Sequence, residues 1–151
     1  MPFRFFVLAA LFALAAAPGA SAQDTAVEDL GISSHVLDIA RGVGGGGVPV
    51  TLEVQTDDGW ALLGRAVSQD NGRVESFTAD ESAPRVSGTE TYRLTFDLGD
   101  YWSDVADEMD DGPGLPFFPE VVVVFRTDDP TAHTHVPVLV SPYGYSTYRG
   151  N

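Results

Sequence analysis

From residue 32 onward the chain is built of short runs rich in β-branched and aromatic residues, separated by clusters of Gly, Asn and Asp. Such runs between turn signals are the mark of an all-β domain, and the one over 91–98 alternates well. The first is Ile32–Asp38, followed by a glycine-rich stretch over 42–47 that reads as a flexible connector. A second strand spans 48–55 and closes at Asp57-Asp58-Gly59. The third, over 60–68, ends at Asp70-Asn71-Gly72, a strong tight-turn signal. Residues 73–77 form a short fourth strand and 91–98 a fifth. Segments Glu120–Arg126, 133–140 and 145–149 bring the total to about eight. Between 100 and 114 the period changes. Asp104, Asp107, Glu108 and Asp111 fall at helical spacing, with Trp102, Val105 and Met109 on another side, so one short amphipathic helix ends at Asp111-Gly112-Pro113. The fold expected is an all-β, two-sheet antiparallel sandwich with that single helix.

The first 22 residues follow a different pattern. Arg4 precedes an apolar run over 5–17, and Ala20-Ser21-Ala22 supplies a small-residue cleavage site, the layout of a secretory signal peptide. A bilayer span needs roughly 20 apolar residues, more than this run offers. The expectation is export to the periplasm, with residues 23–151 as one mature domain that is free of the membrane after cleavage. Cysteine is absent, which removes disulfides, thiol nucleophiles and thiolate metal ligands. All eight basic residues are arginine, so Schiff-base and phosphate-loop lysines are excluded as well. A formal charge of −14 argues against nucleic acid or an anionic membrane as partner. The acidic helix does not fit an EF-hand, because Met109 stands where an oxygen ligand is needed.

Candidate chemistry concentrates in the three histidines. His133 and His135 are two apart on a predicted strand, so both side chains point the same way. His35 lies in the middle of the first strand. If these strands are neighbours, the imidazoles converge, and three readings of the cluster remain open. One imidazole could act as a general base toward water, kept unprotonated by an arginine such as Arg73 or Arg149. All three could hold a zinc ion. Or they could be inert polar groups on a sheet face. Ser146, in Gly144-Tyr145-Ser146-Thr147-Tyr148, lacks the Gly-x-Ser-x-Gly elbow of a serine hydrolase.

Several stretches together resemble the 5-hydroxyisourate hydrolases, enzymes related to transthyretin. They are Ser34-His35-Val36-Leu37-Asp38, Asn71-Gly72-Arg73, Thr91-Tyr92-Arg93-Leu94-Thr95-Phe96-Asp97, Phe118-Pro119-Glu120-Val121, and the tail from His133 through Tyr148-Arg149-Gly150. The resemblance implies a transthyretin-like fold of two four-stranded sheets, assembled as a homotetramer (a dimer of dimers) with active sites between dimers. It implies His35, Arg73 and His135 as catalytic residues, and Tyr148, His133 and Arg149 as further substrate contacts. The implied reaction is hydrolysis of 5-hydroxyisourate, without a cofactor. A transthyretin-like periplasmic protein that binds a small ligand without turning it over is the alternative, and retention of the histidines and the tail speaks against it. The family usually ends in Tyr-Arg-Gly-Ser, whereas Asn151 follows Gly150 here. Asparagine hydrogen-bonds in both directions but does not copy a hydroxyl.

Overall fold

The computed structural model describes residues 30–108, 116–129 and 131–151. The signal peptide expected over 1–22 and the predicted helix end at 109–114 lie outside the described residues. In chain order the elements are β1 (Ile32–Asp38), β2 (Val43–Gly44), β3 (Pro49–Thr56), β4 (Gly59–Val67), β5 (Arg73–Val74), β6 (Thr78–Ala79), β7 (Thr91–Asp97), α1 (Gly99–Glu108), β8 (Glu120–Arg126), β9 (Thr134–Ser141) and β10 (Gly144–Thr147).

These strands form two five-stranded sheets, one ordered β10-β9-β1-β2 with β5 also on β1, the other β6-β4-β3-β7-β8. Inward positions of both sheets meet in one core. Val36, Val138 and Val140 from the first sheet and Val50, Leu52, Leu94 and Phe96 from the second are each at most 1% exposed. Burying side chains of this size contributes about 1.5–3 kcal/mol apiece. The helix follows its predicted pattern where it is described: Trp102 and Val105 are buried, Asp104 and Asp107 exposed. It is fastened to the end of β1 by a polar knot. The Tyr101 hydroxyl donates to buried Asp38 Oδ2 at 2.8 Å and accepts from Arg41 Nη2 at 2.9 Å. The Asp38 carboxylate also accepts the Ala40 and Arg41 backbone N–H groups, which fixes the turn out of β1.

The sandwich is the one expected, with three differences of detail. First, β1 and β9 run parallel, from Ile32 opposite Thr134 to Asp38 opposite Val140, while the other strand pairs are antiparallel. The whole second sheet lies between β1 and β9 in sequence, so no hairpin dictates their relative direction. Second, β2 and β6 are two residues long, too short to show a period, and the expected strand over 73–77 is only Arg73–Val74 before the chain crosses to the other sheet. Third, the glycine stretch is not a loose connector. Gly44 pairs with Leu37, and a Cβ there would collide with the Asn71 carbonyl, so the glycine lets this segment seat the Asn71-Gly72 turn.

Candidate active site

Register and alternation bring the polar residues of the first sheet together. Ser33 lies opposite His135 in the parallel pair, and His35 lies opposite Arg73 in the antiparallel one. Ile32, Ser34, Val36 and Asp38 are buried on one side of β1, as are Thr134, Val136, Val138 and Val140 on β9. Ser33, His35, His133 and His135 therefore project from the opposite face. Arg73 joins them, because its neighbour Val74 is the residue buried in the core.

Ser33 Oγ is the hub of the arrangement, 2.9 Å from His133 Nε2 and 2.8 Å from His135 Nδ1. The two rings are nearly parallel, at 14° with centroids 6.3 Å apart. His135 Nε2 makes no hydrogen bond among the described residues, which leaves its lone pair or proton for a ligand. His35 Nε2 lies 2.8 Å from the Asn71 carbonyl oxygen. A carbonyl only accepts, so this nitrogen carries a proton and donates. Burial, reinforced by the positive fields of His133, His35 and Arg73, pushes the His135 pKa below its ordinary 6.5. The half-buried ring is thereby held as a neutral base near pH 7.

A cleft of about 450 Å³ opens over this face, walled by Ser33, Arg73, Glu75, His133 and His135, with Tyr148, Gly150 and Asn151 of the tail. The tail is stitched to the site. Gly150 N–H donates to the His135 carbonyl at 2.8 Å, and a Cβ at position 150 would stand 2.6 Å from His135 Cδ2. Only glycine allows so close an approach to the ring.

Of the residues singled out from sequence, Arg73, His133, His135 and Tyr148 share this cleft. His35 stands beside them, paired with Arg73, and is not one of the lining residues. Arg149 lines a neighbouring groove along β8, a wall to which Tyr148 also contributes. Asn151 reaches the cleft, so the position where the chain departs from the usual serine faces the site. Sequence reasoning passed over Ser33 and the Asn71 carbonyl. The signal for Ser33 was present: it is two residues before His35 on the same strand, the spacing that paired His133 with His135. Among the described residues no group of three His, Cys, Asp or Glu side chains is placed to share a metal ion. His133 and His135 direct one nitrogen each at the Ser33 hydroxyl.

The HIUase/Transthyretin family model matches residues 32–150. A probable 5-hydroxyisourate hydrolase of Caenorhabditis elegans is 41% identical over 128 residues, covering 85% of this chain and 87% of that protein. A 5-hydroxyisourate hydrolase of Salmonella typhi is 34% identical over 148 residues, 98% of each chain. The structure of the Klebsiella pneumoniae 5-hydroxyisourate hydrolase superposes with a TM-score of 0.59 at 29% identity, covering 80% of this chain and 98% of that one. The match takes in both sheets, the histidine face and Gly150 of the tail, and the chain belongs to the HIUase/Transthyretin family.

Proposed function

We infer that this chain hydrolyses 5-hydroxyisourate to 2-oxo-4-hydroxy-4-carboxy-5-ureidoimidazoline in urate breakdown. The observation that carries the reading is the gathering of His35, Arg73, His133 and His135 on one sheet face, in a chain whose relatives are hydrolases of that substrate. His135 is the general base. Its free Nε2 takes a proton from water, and the water oxygen adds to a ring carbonyl carbon. The Arg73 guanidinium stabilises the negative charge that develops on the carbonyl oxygen. The ring C–N bond then breaks, and the proton held by His135 passes to the departing nitrogen. Base catalysis of this kind contributes about 10²–10⁴-fold, and a well-placed donor to the oxyanion about 10²–10³-fold. His35 donates through Nε2 to the Asn71 carbonyl, which holds its ring beside Arg73. Tyr148 and His133 contact substrate from the cleft wall, with Arg149 next to them. No step calls for a cofactor.

The test follows the ultraviolet decay of freshly generated 5-hydroxyisourate with purified protein; a rate no faster than the spontaneous one refutes the reading. Activity that survives exhaustive chelation excludes a catalytic metal ion.

The working assembly is a homotetramer, a dimer of dimers. Two features support it: among the described residues β8 and β10 each leave an unpaired edge on their sheet, and the cleft of the single chain is open. Light scattering at four times the protomer mass is the expected result. Export is the remaining element. The leader over 1–22 directs the protein to the periplasm, and N-terminal sequencing of the periplasmic form should begin at Gln23.

A further inference from the structure

The Ser33 hydroxyl lies within hydrogen-bond distance of two imidazole nitrogens, yet it has a single proton to give. At least one of the two rings must therefore present an N–H to it. If the Ser33 proton points to His133 Nε2, then His135 donates through Nδ1 and offers a bare Nε2 to the cleft. If it points to His135 Nδ1, then His133 donates, and neutral His135 carries its proton on Nε2. Rotation of one hydroxyl thus separates a base form of His135 from an acid form, and ring-opening hydrolysis needs both in succession.

We propose that Ser33 is a positioning residue that joins His133 and His135 into one proton-holding pair, so that a proton taken up at His135 Nε2 is matched by transfer through Ser33 Oγ to His133. The inference rests on the hydrolase reading above. In the resting pair His135 Nδ1–H donates to Ser33 Oγ, and Ser33 O–H donates to His133 Nε2. As His135 Nε2 bonds a proton from water, its Nδ1–H bond breaks and that proton joins Ser33 Oγ. The original Ser33 proton moves to His133 Nε2. His135 is then neutral with its proton on Nε2, and the positive charge rests on His133. When His135 delivers the Nε2 proton to the leaving nitrogen, the two transfers reverse. The hydroxide of the consumed water ends on the carbonyl carbon, its proton on nitrogen, and the pair is restored.

The surroundings favour this placement of charge. His133 is exposed and hydrates a cation well, whereas His135 is half-buried under Gly150. His133, His35 and Arg73 oppose positive charge at His135, and the other titratable side chains lining the cleft are Glu75 and Tyr148.

Single-turnover decay of 5-hydroxyisourate in mixtures of light and heavy water tests the coupling. For the native protein the rate should fall along a bowed curve with deuterium fraction, the sign of several protons in flight. Ser33→Ala should be slower by about 10- to 100-fold, with substrate affinity changed by less than about 2-fold and a straight-line dependence on deuterium. Ser33→Thr, which keeps the hydroxyl, should recover most of the rate. A straight line for the native protein overturns the proposal, as does Ser33→Ala at native speed. The native measurement decides even if the alanine variant fails to fold. A native protein that does not accelerate decay at all would instead refute the hydrolase reading itself.

Discussion

Gly150→Ala puts the link between tail and base under direct stress. The added methyl would stand 2.6 Å from His135 Cδ2 and 3.1 Å from its Cβ and Cγ. Carbon atoms settle at about 3.5–4.0 Å, so ring and tail must separate by about 1 Å. Two outcomes are open to the chain. The ring can swing away, which breaks the 2.8 Å contact of Nδ1 with Ser33. Or the tail can lift, which breaks the 2.8 Å bond from Gly150 N–H to the His135 carbonyl and carries Tyr148 and Asn151 out of the cleft. Each route removes one hydrogen bond, about 0.5–1.5 kcal/mol, so the fold itself survives with a melting temperature lowered by no more than about 5 °C. Catalysis suffers more, because a misplacement of about 1 Å at a reacting group costs as much as 10²-fold. The expected result is a loss of about 10- to 100-fold in kcat/KM with cooperative unfolding retained. Native kcat/KM in Gly150→Ala would refute the reasoning, for it would mean that the seating of the tail on His135 is of no consequence to the reaction.

Other consequences can be checked independently. Arg73→Ala should lower kcat/KM by about 10²–10³-fold, and His135→Ala by about 10²–10⁴-fold, with circular dichroism unchanged because neither side chain belongs to the core. The acid limb of the pH–rate profile should fall below 6.5, since the depressed pKa of His135 keeps the base free until lower pH; a limb above 6.5 contradicts this. The same shift links to stability. Unfolded chains take up the proton first, so His135 gives its full contribution above 6.5 and loses it as pH falls through that value toward the depressed one, seen as a falling urea midpoint. Tyr101→Phe removes the hydroxyl shared by Asp38 and Arg41 and should cost about 1–2 kcal/mol in urea denaturation while turnover stays native. In a spectrophotometric titration Tyr101 should ionise late, its pKa raised to about 12 by burial and by the Asp38 carboxylate.

Much of this was legible in the sequence, for reasons that can be traced. β7 alternates clearly enough for its buried face to be read directly, and the two-residue period of a strand aligned His133 with His135, whereas β8 is apolar on both faces and β1 buries Ser34 and Asp38. β4 was harder. A bulge opposite Leu52 and Glu53 turns both Leu63 and Gly64 inward, which breaks the period. β2 and β6 have no period to read. The parallel sense of β1 and β9 is a long-range fact with no local trace, and Ser33 acquires its neighbours only through it. The glycine stretch misled because flexibility and close approach call for the same residue. Here the collisions that a Cβ would meet at Gly44 and Gly46 show that close approach governs.

The pairing of β1 with β9 also sets a timetable. Ser33 and His135 are 102 positions apart, yet they meet through one hydroxyl. One edge of β1 is covered early by its antiparallel neighbours β2 and β5, but the other waits for a strand that begins at Thr134. Contacts of such sequence separation are slow to form, and an uncovered strand edge invites pairing with other chains in the meantime. A nascent chain halted anywhere short of residue 134 therefore has a strand without its partner and no site at all. Completion of the first sheet and assembly of the histidine face are one event, timed by the arrival of the segment from Thr134 onward.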